Sequence, residues 1–413
     1  MMRRNMDEKP SSHRFALGVL SRTVAVVLAV LAAVMYRPVV DLYTLRHTDR
    51  TEALTQWSNH SRLNSLNCKV HYETNACEDL SIHWPSSTAF IACGDPLERA
   101  LWYPPSLAYN ASGRSEESFR EKLFKYDIKS KKTTRLRIDG LQGDFVNHGI
   151  DVYEFPNDPT KVNIFAVNHR RNGDSILIMS HVIGTDSAQV IKEVVHPGIK
   201  NPNGVAAKGP LDFFITNDHY FAPGFMRNLE DKFGPWPWAT DVQYCDANGE
   251  APTCKRVSPR QPGLNGIAIS KDKQRLFVGD SKVAKVHIFN ILQSGMLDSV
   301  STVALGAAAD NIRILPTTGD PVVSIFPTLE DLPLYLSNVQ GLGKDLLVPS
   351  AALLLRQDRA YEPELVYWDD GSALSYMTVA AIDPYNHVFI GGSVLQFGGF
   401  AVCEIPKDAL KAV

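Results

Sequence analysis

No G-x-S-x-G elbow, no glycine-rich phosphate loop and no H-E-x-x-H pair occurs in the 413 residues. The first absence excludes the usual serine nucleophile, the second a P-loop and the third a thermolysin-like zinc site. An excess of positive charge is also missing. Lys and Arg number 42 against 45 Asp and Glu, a net charge of −3, with no basic stripe beyond the N-terminus. The chain therefore lacks the electrostatic footprint of a nucleic-acid binder. Charged residues are 21% and hydrophobic residues 44%, the proportions of an ordinary folded domain.

Long apolar runs are scarce. The clearest is TVAVVLAVLAAVMY at 23–36, which lies between Arg22 and Arg37 and follows Arg3, Arg4, Lys9 and Arg14. Its fourteen residues would span about 21 Å as a helix, short of a ~30 Å hydrocarbon core. Flanking residues at 15–20 and 39–40 extend the run, and Arg22 and Arg37 can snorkel. It reads as an uncleaved signal-anchor, a transmembrane helix over 23–40 behind a basic cytoplasmic tail at 1–22. A cleaved signal peptide is the alternative. The anchor implies a single-pass membrane protein with a lumenal or extracellular domain, and cleavage implies secretion.

Cysteine is sparse too, but all six residues lie beyond that run. An even number in a translocated chain points to disulfides. Cys77 and Cys93 flank the Pro85-Ser86 turn, and Cys245 and Cys254 bracket a short polar turn. Cys68 and Cys403 remain, one at each end of the globular region. Sequons at Asn59 and Asn110 fit the same compartment.

What the chain has is repetition. Six strand-like units begin at Glu78, His148, Asn203, Asn265, Asp310 and Thr378, about 45 to 70 residues apart. Each opens on a polar residue, alternates apolar positions, turns and climbs a second apolar strand. Such a unit points to an all-β, six-bladed β-propeller over 65–407, following a connector at 41–64. A disulfide between Cys68 and Cys403 would then lock the ring where first and last strands meet. Within the strand-rich region, helices are expected around Met226 to Lys232 and Glu330 to Leu336, the second interrupted by Pro333. The Pro- and aromatic-rich insertion at 221–240 either covers a blade edge, walls a pocket or touches a bilayer.

The opening polar residues would project together at one mouth of the channel. Glu78, Asn203, Asn265, Asp310 and Asn311 supply five oxygen-bearing side chains, two of them carboxylates, which suits Ca2+. Softer metals are disfavoured in a ring without thiolates. Taken singly, Asn203-Gly204 and Asn265-Gly266 read as turns, and Asp310-Asn311 as a loop. Their shared slot is what turn propensity does not explain. His148 occupies the same slot, and His169 closes the outgoing strand of its unit. A lone histidine in a β protein is more often structural, but two beside a metal suit general-base activation of water.

These residues resemble the paraoxonase/arylesterase family of calcium-dependent lactonases. The resemblance runs from 68 to 403 through CEDL (77–80), NHGI (147–150), VNH (167–169), TNDHYF (216–221), NGIAIS (265–270), DNI (310–312), TGD (318–320) and CEI (403–405). It implies a catalytic Ca2+ on Glu78, Asn203, Asn265, Asp310 and Asn311, a His148–His169 dyad, a Cys68–Cys403 disulfide, and supporting or pocket roles for Asp218 and His219. It implies a second, structural Ca2+ on Asp79, the Ile150 carbonyl and an Asp after the ring Asn, where this chain has Gly204; Asp151 is a possible substitute. Phe326 stands where the family often has His, which makes the pocket more apolar. The activity implied is hydrolysis of lactones and aryl esters, small-molecule substrates. Two other classes stay open: a non-hydrolytic cyclisation, isomerisation or condensation on the same scaffold, and a non-enzymatic, calcium-stabilised binding module.

Overall fold

A computed structural model of the chain describes residues 22–36, 39–40, 62–328 and 332–406. Strands dominate, as the period-two alternation predicts. Four sheets have four strands each, one has eight, and Trp102–Tyr103 with Ala108–Tyr109 forms a small ribbon. The result is an all-β, propeller-like fold. The expectation of six separate blades is corrected in one respect. The first two four-stranded meanders share one sheet, because their outer strands, Lys132–Asp139 and Ser187–Val194, pair in parallel from Ser187↔Arg137 to Gln189↔Asp139.

Each repeated unit contributes an inner strand: β1 (Cys77–His83), β2 (Asn147–Phe155), β3 (Pro202–Ala207), β4 (Leu264–Ile269), β5 (Ala308–Ile314) and β6 (Met377–Asp383). Each packs against the next and β6 against β1, so the six surround a central channel. Apolar side chains fill the wedges between neighbouring sheets. Ala206 and Phe214 of one sheet meet Ile267, Val278 and Phe289 of the next. Leu80 and Ile91 meet Val379, Ile390 and Phe400 where the last unit returns to the first. Full burial of such side chains stabilises by roughly 1.5–3 kcal/mol apiece.

The ring is closed by chain ends. Cys68–Val70 pairs antiparallel with Phe400–Glu404, placing Cys68 opposite Cys403, and the two form a disulfide. Cys77–Cys93 and Cys245–Cys254 are also bonded, each across neighbouring strands.

Helices are few: α1 (22–36), α2 (Pro96–Leu101), α3 (Phe225–Phe233) and α4 (Leu332–Ser337). Helix α3 extends the expected segment by one residue at each end. Pro333 lies in the first turn of α4, where its missing N–H has no intrahelical partner to lose. The anticipated membrane-spanning anchor over 23–40 is not found. Residues 22–36 of α1 rise about 22 Å, and no helix among the described residues is long and apolar enough to cross a membrane. The basic tail at 1–21, most of the connector (41–61) and the Asn59 sequon lie outside the described residues. Asn110 is exposed.

Candidate active site

The repeated polar slot is a repeated β-bulge. Pairing with the second strand shifts between Cys77 and Asp79 on β1, Asn147 and Ile150 on β2, and Pro202 and Val205 on β3. The same shift falls between Leu264 and Ile267 on β4, Ala309 and Ile312 on β5, and Met377 and Val379 on β6. The skipped residues are Glu78, His148, Asn203, Asn265, Asp310 with Asn311, and Thr378. A bulge leaves its residue out of the ladder and re-aims the side chain. Here Glu78, His148, Asn203, Asn265, Asp310 and Thr378 all line one cavity of about 100 Å³ on the channel axis.

The glycines that follow are there for close approach. A Cβ on Gly149 would lie 2.3 Å from the Asn203 carbonyl oxygen, and one on Gly266 would lie 2.5 Å from Asn311 Cα. Asn203-Gly204 and Asn265-Gly266 are therefore bulges at which adjacent inner strands converge, and neither is a turn.

The cavity presents oxygen. Asn311 sits just behind the lining and donates Nδ2 to Glu78 Oε1 at 2.8 Å. Glu78 Oε2, Asn203 Oδ1 and Asn265 Oδ1 are buried and accept no hydrogen bond. Glu78, Asp310 and Asn311 are each 3% exposed or less. Burial, and then the nearby Glu78 charge, push the Asp310 carboxyl well above the usual carboxylate range. Burial opposes the charge on Glu78 as well, but attraction to His148 carries it below its ordinary value. Two buried carboxylates facing amide oxygens without donors form a site that fits a hard divalent cation. Among the described residues no group of three or more His, Cys, Asp or Glu could hold a metal. The donor set here is instead two carboxylates and three amides.

His148 stands at the edge of this ring, its Nε2 3.4 Å from Glu78 Oε1. Its Nδ1 lies 3.1 Å from His169 Nε2, and His169 Nδ1 lies 2.8 Å from Asp174 Oδ1. If both rings are neutral, the carboxylate sets the order of their tautomers. Asp174 only accepts, so His169 Nδ1 carries the proton and its Nε2 accepts from His148 Nδ1. His148 Nε2 is then left with its lone pair directed at the cavity. Tyr103 packs edge-on against both imidazoles, with centroids 5.5 and 6.1 Å away. Burial lowers the affinity of His148 for a proton and Glu78 more than restores it, a net rise.

A buried ion cluster holds the backbone beneath His148. Arg99 grips Glu121 in bidentate fashion at 2.8 and 2.9 Å and donates to the Asn147 carbonyl at 3.0 Å. Arg114 also donates to Glu121, and Glu121 accepts the Asn147 N–H at 3.0 Å.

Asp218 and His219 lie on the opposite wall. Asp218 accepts from His219 Nδ1 at 2.7 Å, and Asn203 Nδ2 approaches it at 3.5 Å. His219 Nε2 faces Asp231 of α3 at 3.4 Å. The insertion at 221–240 does not itself wall the cavity. It props that wall through Asp231 and through Glu230, which accepts the N–H groups of Tyr220 and Phe221. The roof comes from Leu107, Phe326, Leu332, Tyr376 and Val394, with Phe326 stacked on Tyr376 at 4.5 Å.

Asp174 and Lys282 are site residues that sequence reasoning missed, and Thr378 it placed in the repeated slot without a role. Asp174 was findable: the two-residue Arg171-Asn172 turn sets it directly opposite His169 in the hairpin. Thr378 opens the sixth unit, and its hydroxyl donates to the Glu78 carbonyl at 2.6 Å. Lys282 carries no such signal. It lines the cavity, and burial lowers its proton affinity.

The arylesterase family profile matches residues 61–398. The chain belongs to this family. A rat serum paraoxonase/arylesterase 2 is 30% identical over 277 residues, which cover 65% of this chain and 73% of that one. A rat serum paraoxonase/lactonase 3 is 28% identical over 340 residues, covering 80% and 86% respectively. The chicken serum paraoxonase/arylesterase 2 is 29% identical over 334 residues, 79% of this chain.

The second cation set is differently placed. Around Asp79 and the Ile150 carbonyl lies the guanidinium of Arg313, which donates to the Asp79 carboxylate, to the Leu80 carbonyl and, at 2.9 Å, to the Ile150 carbonyl. Asp151 is engaged elsewhere, accepting the Ser81 hydroxyl at 3.0 Å and the Ala207 N–H at 2.8 Å.

Proposed function

We propose that this protein is a calcium-dependent hydrolase of lactones and aryl esters, built as a six-bladed propeller in which each half of the eight-stranded sheet counts as one blade. The observation that carries this reading is the Asp174–His169–His148 hydrogen-bond chain, which ends with His148 Nε2 at the edge of a cavity where Glu78 Oε2, Asn203 Oδ1 and Asn265 Oδ1 are buried without donors. Family membership and the names of the relatives, arylesterase and lactonase, support the substrate class.

Glu78, Asn203, Asn265, Asp310 and Asn311 would hold the cation, which when bound supplies a Lewis acid for an ester carbonyl and for the charge that develops on its oxygen. His148 Nε2 takes the proton of the attacking water. His169 accepts the hydrogen bond from His148 Nδ1, and Asp174 stabilises the charge that then spreads over the two rings. The apolar roof of Leu107, Phe326 and Leu332 favours aliphatic or aryl groups beside the scissile bond and limits bulk water. Asp218 and His219 orient Asn203 from the wall. Three disulfides support maturation in an oxidising compartment, lumenal or extracellular.

The test is initial rates on γ- and δ-lactones and phenyl acetate, with calcium and with chelator. Hydrolysis that disappears in chelator and returns with calcium is expected. Absence of hydrolysis by folded, calcium-loaded protein would overturn the reading in favour of a non-hydrolytic or binding role.

A further inference from the structure

We propose that the Arg313 guanidinium takes the place of the second cation, so that no divalent ion binds at Asp79 and the channel is pinned by a charge that chelators cannot remove. Every acceptor in that set is already used. Asp79 Oδ1 accepts the Leu80 N–H at 2.9 Å, and Oδ2 accepts the Ile150 N–H at 2.9 Å as well as Arg313. The carbonyls of Leu80 and Ile150 also receive Arg313. The ion pair is buried, with side-chain exposures of 11% for Arg313 and 2% for Asp79.

Gly204 closes the alternative. It holds the position where the second carboxylate of the set would stand, and even a Cβ there would lie 2.9 Å from Ile267 Cγ2 and 3.1 Å from Ile267 N. Arginine suits the task because its planar fork binds a carboxylate and flanking carbonyls together and does not lose its proton. The side chain reaches across the axis from β5 to carbonyls of β1 and β2, the strands a cation there would tie together. It also lines a wider funnel of about 770 Å³, which opens among the far ends of the inner strands, around Trp84, Tyr153 and Tyr385. Arg313 thus stands on the channel between that funnel and the ring cavity.

The inference depends on the proposed function only for the ion at the ring, and a cation count separates the two. Calcium bound per chain is measured by equilibrium dialysis at millimolar calcium on wild type, Asp310→Asn, Asp79→Asn and Arg313→Ala. One equivalent in wild type is expected, lost in Asp310→Asn and kept in Asp79→Asn. A folded Arg313→Ala is expected to gain one weak equivalent, in the ~0.1–1 mM range of low-charge sites. Two equivalents in wild type, one that vanishes in Asp79→Asn alone, or no gain in folded Arg313→Ala would overturn the assignment. If Arg313→Ala does not fold, the other three counts decide. Zero equivalents in wild type would leave Arg313 in its role but would remove the cation from the proposed function.

Discussion

The chemistry rests on a three-member chain whose direction is set by its last residue. When Asp174 accepts from His169 and both rings are neutral, His148 Nε2 is the nitrogen free to take a proton. Asp174→Asn can present an N–H where the carboxylate accepted, which reverses the donor–acceptor order of the relay. Turnover of a δ-lactone by Asp174→Asn is predicted to fall about 10- to 100-fold with bound calcium unchanged. A variant that lost calcium in parallel would show that Asp174 acts through the ring instead. At this scale the sequence was informative where residues share a slot and silent where one residue crosses the axis. Glu78, Asn203, Asn265 and Asp310 announced themselves by position in the repeat. Arg313 follows Ile312 on an inner strand, and a charged residue in that alternation reads as solvent-facing. Its partners Asp79 and Ile150 lie 234 and 163 residues away, beyond any local pattern.

Each inner strand owes its function to one bulge. Without it the polar residue would sit in the ladder, and period-two alternation would turn it toward a neighbouring sheet. The glycine after the bulge makes the close approach possible. Gly266→Ala would drive a methyl to within 2.5 Å of Asn311 Cα and of the Asp310 carbonyl oxygen, neither of which is a flexible chain end. Overpacking of this kind costs about 1–3 kcal/mol. Because it shifts two ring residues, Gly266→Ala is predicted to weaken calcium binding by roughly 10-fold or more in titration while the urea midpoint also drops. Unchanged affinity in the folded variant would mean that β4 and β5 do not share the ring. The strands themselves were legible from alternation, and α3 from its charged and apolar spacing. The bulges were not, since Asn-Gly has the same local signature in a bulge and in a turn. Only the five- and six-fold recurrence of the slot distinguishes them.

For the whole molecule, closure is the decisive feature. The chain must bring Cys68 to Cys403, 335 residues apart, before its last sheet has an outer strand. A crosslink spanning so long a loop removes much unfolded-chain entropy. The double variant Cys68→Ser/Cys403→Ser is predicted to lose about 2–5 kcal/mol in urea unfolding, with both remaining disulfides intact. A loss below ~1 kcal/mol would show that strand pairing alone closes the ring. This pairing was readable because the two cysteines end the repeating region. The sharing of one sheet by the first two meanders was not, because β-pairing between outer strands depends on how far each blade twists and not on any residue pattern. The apolar run has a composition that suits a membrane, and among the described residues no helix is long and apolar enough to cross one.

In the proposed mechanism His148 acts as the base without serving as a ligand. Its most direct test is the rate of δ-lactone hydrolysis by His148→Gln against wild type, with calcium counted on the same samples. A fall of at least ~100-fold at an unchanged calcium content is predicted. A variant that hydrolyses at the wild-type rate, or one that fails only because its calcium is gone, would contradict it.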